Sequence, residues 1–129
     1  MKKKALILLA TLCVAAAGAL LRYYSSSMDA AEAVRRLAGM RVAMTLFKIS
    51  KGSPPKDFRE LTAGGQLEAP MDLKLKWHGT SSQVRHAPAL RAEDNGGWGY
   101  VNDPASPDFG TIFIDCLHRD ERGRYWSEF

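Results

Sequence analysis

ALILLATLCVAAAGALL (Ala5–Leu21), RYYSSS (Arg22–Ser27) and MDAAEAVRRLAGMRVAMTLFKI (Met28–Ile49) run together without a proline. The first piece carries no charge. The last carries a helical stripe: Ala30, Ala33, Val34, Leu37, Met40, Met44 and Phe47 recur at spacings of three and four. Arg35, Arg36, Arg41 and Lys48 fall on or near the opposite side. The spacing predicts one long helix whose apolar first half sits in a membrane and whose amphipathic half carries a domain. If the helix breaks between the halves, Ser27 is the expected cap and Asp29 and Glu32 complement its first turn. Gly39 weakens that helix by roughly 1 kcal/mol relative to alanine.

The charge supports this placement. The 129-residue chain has a net charge of +4, from 18 basic and 14 acidic residues. Removing Lys2, Lys3 and Lys4 leaves 15 basic against 14 acidic, a net of +1. The domain itself is therefore not basic, and nucleic acid is not an expected partner. The three lysines read as the cytoplasmic flank of Ala5–Leu21, with the rest of the chain outside. Two readings of Ala5–Leu21 stand. As a retained anchor it reaches the lower limit of about 17 apolar residues for a span, with Tyr23 and Tyr24 at the interface. As a signal peptide, small residues at Ala15–Ala19 allow cleavage after Ala17 or Ala19. Leu12 before Cys13 argues against lipidation. Both readings export the remainder and leave Cys116 as its single cysteine, a small buried hydrophobe or, alternatively, half of an intermolecular bridge.

Beyond the helix, Lys51-Gly52-Ser53-Pro54-Pro55 is a stop signal. Phe58 and Leu61 predict one short helical turn, ended by Ala63-Gly64-Gly65. Leu73, Leu75 and Trp77 alternate with Lys74 and Lys76, which predicts a half-buried strand. Gln83–Arg85 is a candidate second strand, Glu93–Gly97 a turn, and Trp98–Val101 a strand opening. Asn102–Gly110 is a loop, and the β-branched and aromatic run Thr111–Cys116 is the clearest strand. Arg119–Gly123 reads as a turn, with Arg124–Phe129 returning as the second strand of a hairpin, docked rather than frayed. The fold class expected is α+β: a long N-terminal helix, membrane segment plus amphipathic half, packed on a small antiparallel sheet of about 3–4 strands. The organisation is 1–24 as basic flank and anchor or signal, and 25–129 as exported domain. Within the domain, 28–49 is the spine helix, 50–70 a linker with a short helix, and 71–129 the sheet.

This order of pieces resembles the type IV pilins and type II secretion pseudopilins. The matching pieces are Ala30–Phe47, then Lys51-Gly52-Ser53-Pro54-Pro55 with Phe58 and Leu61, then Gly96-Gly97-Trp98-Gly99-Tyr100 and Gly110-Thr111-Ile112-Phe113-Ile114. The resemblance implies a single-pass protein of a bacterial inner membrane with its C-terminal domain exported. It implies homo- or hetero-oligomeric pilin-like subunits as partners and a structural or minor part in a type II secretion or type IV pilus-like system. The chain departs from the family at the processing site. Such proteins carry basic residues, a glycine and then Phe or Met, with a Glu five residues into the mature chain. Here Lys4 is followed by Ala5, and the first Glu is Glu32. The alternative is an exported binding module, anchored or secreted, that does not assemble into a fibre.

Candidate chemistry is sparse. There is no Gly-x-Ser-x-Gly and no phosphate-binding glycine loop, because Gly96-Gly97-Trp98-Gly99 precedes no helix. Zinc sites take four ligands, or three and a water. His78, His86 and His118 show no such spacing with one another or with Cys116, and they read as exposed or edge residues. Cys116 and His118, two apart, share a strand face. Asp94, Asp103, Asp108 and Asp115 read as turn formers rather than a calcium set, although the resemblance to calcium-binding major pseudopilins keeps that alternative open. Trp77, Trp98 and Trp126 read as core, with an exposed carbohydrate- or partner-binding surface as the other reading. No catalytic, cofactor-binding or metal-binding residue is assigned, no enzyme activity is expected, and no small-molecule substrate is evident.

Overall fold

The computed structural model describes residues 2–129. The fold is α+β, with the elements in the order α1 (Lys2–Ser25), α2 (Ala30–Lys51), α3 (Arg59–Ala63), β1 (Leu73–Lys74), β2 (Thr80–Ser81), β3 (Val84–Ala87), β4 (Gly97–Val101), β5 (Ile112–Asp115) and a 3-10 turn (Trp126–Glu128). The single helix expected over Ala5–Ile49 is two helices, broken at Ser26–Asp29. The serines cause the break. Ser26 Oγ donates to Tyr23 O at 2.7 Å and Ser25 Oγ to Arg22 O, so both hydroxyls close the last turn of α1. The Met28 amide then turns to Lys74 O at 2.7 Å, outside any helix. Asp29, not Ser27, is the cap of α2: it is extended (φ −60°, ψ 139°) and its side chain accepts from the Ala31 amide. At the far end Gly52 adopts φ 82° and donates to Lys48 O, as the stop signal requires.

α1 is one helix long and apolar enough to cross a membrane or to act as a signal sequence, and none of its residues is buried. α2 is the spine of the remainder. Ala30, Ala33, Leu37, Met40, Ala43, Met44 and Phe47 are buried on one face. That face meets Ile112 and Ile114 from β5, Cys116 just after it, and Trp98 and Tyr100 from β4 in the main core. The period of two sends Phe113 to the other side, where it packs with Ala87 and Val101. The indole of Trp98 donates to Met71 O at 2.6 Å, and the Tyr100 hydroxyl donates to Pro55 O. Those bonds tie the linker to the sheet.

The sheet differs from expectation in three details. β4 pairs antiparallel with β5, but β3 joins β4 in parallel, because 88–96 carries the chain back to the start of the sheet. The strand expected over Leu73–Trp77 stops at Lys74 and pairs with β2 as a separate two-stranded sheet. Leu75 remains buried, whereas Trp77 takes φ 68°, swings outward and gives its amide to Tyr24 O at 2.6 Å. Arg124–Phe129 is not a returning strand. Asp120 gathers the amides of Arg122 and Arg124 and the guanidinium of Arg124, leaving a single bridge, Arg119 to Tyr125. Trp126 then enters the core within the 3-10 turn, so the chain end is docked as expected.

Candidate metal centre

Three separate turns converge at one end of the sheet. The turn between β1 and β2 supplies His78. The turn before β4 supplies Asp94, and the end of β5 supplies Cys116 and His118. His78 Nε2 lies 3.1 Å from Asp94 Oδ1, 3.3 Å from His118 Nδ1 and 3.6 Å from Cys116 Sγ. His118 Nδ1 lies 3.3 Å from Asp94 Oδ1 and 3.5 Å from Cys116 Sγ. All four donor atoms fall within 4.8 Å of one another. A tetrahedron built on zinc bonds of about 2.0–2.3 Å has edges of roughly 3.3–3.7 Å. Five of the six donor–donor edges match that figure within a few tenths of an ångström.

Local structure holds each donor. Asp94 Oδ1 accepts the Leu117 amide at 2.8 Å, and Cys116 Sγ accepts the His118 amide at 3.4 Å. Lys74 Nζ donates to His78 O at 2.8 Å, and the His78 amide donates to Leu75 O. The Trp126 amide donates to His118 O, which links the C-terminal turn to the cluster. Gly96, at φ 76°, lies against the His78 ring. Among the described residues, the two non-glycine residues with positive φ are Trp77, next to His78, and Asp94 itself, at 66°. Backbone strain of this kind is tolerated where the surrounding structure dictates a side-chain position.

The electrostatics suit a cation. The Cys116 side chain is fully buried, and burial pushes its thiol up to about 12, opposed by the His118 amide and reinforced by the Asp94 charge. A thiolate there needs a positive partner. Burial alone would raise the Asp94 carboxyl, but the Leu117 amide and the two imidazoles hold it below its ordinary value. One positive centre among the four donors would satisfy their converging lone pairs together.

No family model, curated protein or solved structure matches this chain. The cluster therefore rests on its own geometry.

Of the other candidate residues, His86 stays apart: its Nε2 accepts the Phe58 amide at 3.1 Å, just before α3. Asp103 is a turn former whose carboxylate accepts the Ala105 amide. Asp115 is buried with Arg85, at 2.6 Å. Asp94, Asp103, Asp108 and Asp115 do not gather into a calcium loop; among the described residues, the cluster takes only Asp94 from that set. The expectation of edge histidines holds for His86 but not for His78 and His118. Cys116 and His118 two apart was the one legible signal. His78 and Asp94 are 38 and 22 positions from Cys116 and are brought in by tertiary structure alone. Trp98 and Trp126 are core as expected, while Trp77 is 49% exposed.

Proposed function

We propose that this chain is a membrane-anchored, exported protein of pilin-like build that works by association, not by catalysis. Its place would be as a structural or minor component of a type II secretion or type IV pilus-like system. The observation that carries the reading is the relation of α1 to the rest: an apolar helix with no buried residue, joined directly to the spine of a small domain. Alone in water such a surface is unfavourable; lipid or neighbouring helices would cover it. Small residues at Ala10, Ala15, Ala16, Ala17, Gly18 and Ala19 would let helices approach closely.

The end of α1 supports a membrane at that level. Tyr23 and Tyr24 pack edge to face with ring centroids 5.3 Å apart, and Trp77 hangs beside them through its bond to Tyr24. Lys74 lies over the Tyr23 ring, 4.7 Å from its centroid, and Lys76 over Trp77 at 5.3 Å. Aromatic and basic side chains in one layer are the pattern of a membrane interface.

A second reading is favoured by the break at Ser26–Asp29 and by the lack of any Glu before Glu32. It makes the domain an exported binding module that forms no fibre. Cys13, exposed on α1, is a native probe that separates the two. The full chain is expressed in a bacterium, its N-terminus read by mass spectrometry, and membranes are treated with a mild oxidant. An intact N-terminus and a disulfide-linked dimer lost in Cys13→Ser would support assembly. A retained anchor with no dimer would leave the binding module. A chain beginning at Gly18 or Leu20 would rule out both the anchor and pilin-like assembly.

A further inference from the structure

We propose that His78, Asp94, Cys116 and His118 bind a single zinc ion, forming a closed structural site that staples the β1–β2 turn to the end of β5. The inference is independent of where the chain is tethered. It follows from the donor set, the donor geometry and what the site would connect.

The donors are two imidazole nitrogens, one sulfur and one carboxylate oxygen. Calcium and magnesium favour six or more oxygens, so a thiolate and two imidazoles exclude them as the natural occupants. The set suits a borderline ion that accepts nitrogen, sulfur and oxygen in tetrahedral array, which is zinc. Blue-copper sites also use two histidines and a cysteine, but in a trigonal plane with a distant axial ligand. Here Asp94 Oδ1 is as near to the histidine nitrogens, at 3.1 and 3.3 Å, as they are to each other, at 3.3 Å. The fourth donor is therefore an equal vertex, not an axial one. Four protein donors leave no open position, which marks a structural rather than a catalytic ion.

The site also adds a direct link between the two sheets, which otherwise meet through the apolar core at Leu73 and Leu75 and through the Trp98–Met71 hydrogen bond. β1 and β2 are two residues each and form a sheet separate from β3–β4–β5. His78 comes from the first sheet, and Asp94, Cys116 and His118 flank the second. Zinc at their meeting point would fix the two sheets together and hold the strained backbones of Trp77 and Asp94 in place. On binding, Cys116 gives up its thiol proton to solvent and the sulfur lone pair forms the bond to zinc, with no change of oxidation state.

The test uses the full chain in detergent, stripped with a chelator and reloaded with zinc or cobalt(II). Elemental analysis after zinc loading and gel filtration is expected to give one zinc per chain, and reloading to raise the melting temperature. Cobalt is expected to give the intense visible bands of a tetrahedral site and a near-ultraviolet thiolate band. That band should persist in Cys13→Ser and vanish in Cys116→Ser. His118→Ala, at the outer rim of the site, should keep the fold and weaken zinc by more than the roughly 10-fold that loss of a group merely supporting a ligand costs. Weak visible bands of an octahedral ion, a thiolate band that follows Cys13, or a melting temperature indifferent to zinc and chelator would overturn the site. Isolation of the native chain with stoichiometric copper and no zinc would overturn the choice of metal. All the readouts on the unaltered chain stand even if a variant fails to fold.

Discussion

Gly96 lies against the imidazole of His78: a Cβ at position 96 would stand 2.6 Å from the ring's Nδ1. The same residue sits at φ 76°, where a side chain is strained whatever the space. Gly96 thus serves two purposes. It turns the chain into β4, and it leaves His78 room to face Asp94, Cys116 and His118. Gly96→Ala is expected to cost about 1–3 kcal/mol of stability and to lower zinc affinity by about 10–100-fold. Gly123→Ala is the control, since its φ of 82° is as demanding but nothing lies within 4 Å. Denaturant unfolding and zinc titration of both variants would check this. Equal zinc affinities would show that Gly96 acts through the backbone alone.

The face of the sheet away from α2 depends on a buried ion pair. The Asp115 side chain is wholly buried and accepts from Arg85 Nε at 2.6 Å and from the Glu93 amide at 2.6 Å. Arg85 also donates to Arg91 O, so one guanidinium holds the return segment between β3 and β4. Removing one partner of such a pair leaves a buried charge without compensation. Arg85→Met is expected to destabilise by about 3–5 kcal/mol. Asp115→Asn should cost less, because a neutral amide oxygen still accepts the Glu93 N–H. Urea midpoints of the two variants would check the order, and a milder Arg85→Met would count against the pair.

The core was readable from sequence wherever a period governs burial. The stripe through Ala33, Leu37, Met40, Met44 and Phe47 is buried, as the 3.6-residue spacing requires. Ile112–Asp115 is a strand because β-branched and aromatic residues leave it little alternative. What escaped was set by single hydrogen bonds. Apolar periodicity does not register that Ser25 and Ser26 can close α1, nor that the Trp77 amide finds Tyr24 O and turns the chain after Lys74. The parallel pairing of β3 depends on a long return, and no local pattern encodes it. The metal cluster escaped for a related reason. Its four donors come from three turns, so their meeting is a property of strand order and not of spacing.

Two surface carboxylates shape the acid limb of stability. Glu32 bonds Arg35 and Arg36, and those guanidinium groups hold its carboxyl down to about 2. Arg59 does the same for Asp57, also to about 2. In both, the folded value lies below the unfolded one. Their contribution is therefore complete above the ordinary carboxyl range and is lost as pH falls toward about 2. The melting temperature of the parent is expected to fall faster than that of Glu32→Gln/Asp57→Asn between about pH 5 and about pH 2. The difference should shrink in high salt, because both pairs face solvent. Parallel curves for parent and variant across that window would show that neither pair contributes.

Trp77 offers a test of whether the domain sits against a membrane. It is 49% exposed, whereas Trp98 is 0% and Trp126 1% exposed. Its amide is bonded to Tyr24 O, at the last turn of α1, so its height is locked to the end of the apolar helix. If Ala5–Leu21 spans the bilayer, Trp77 stands in the interfacial layer with Tyr23 and Tyr24. Lipids brominated near the headgroup should then quench the fluorescence of one tryptophan strongly, while the two in the core remain bright. Trp77→Phe is expected to remove the quenchable component and to change stability by no more than about 0.5 kcal/mol, as for other surface positions. Quenching that persists in Trp77→Phe would place a different tryptophan at the lipid. No quenching in the parent, with the protein still bound to vesicles, would hold the domain away from the surface and leave Trp77 to a protein partner.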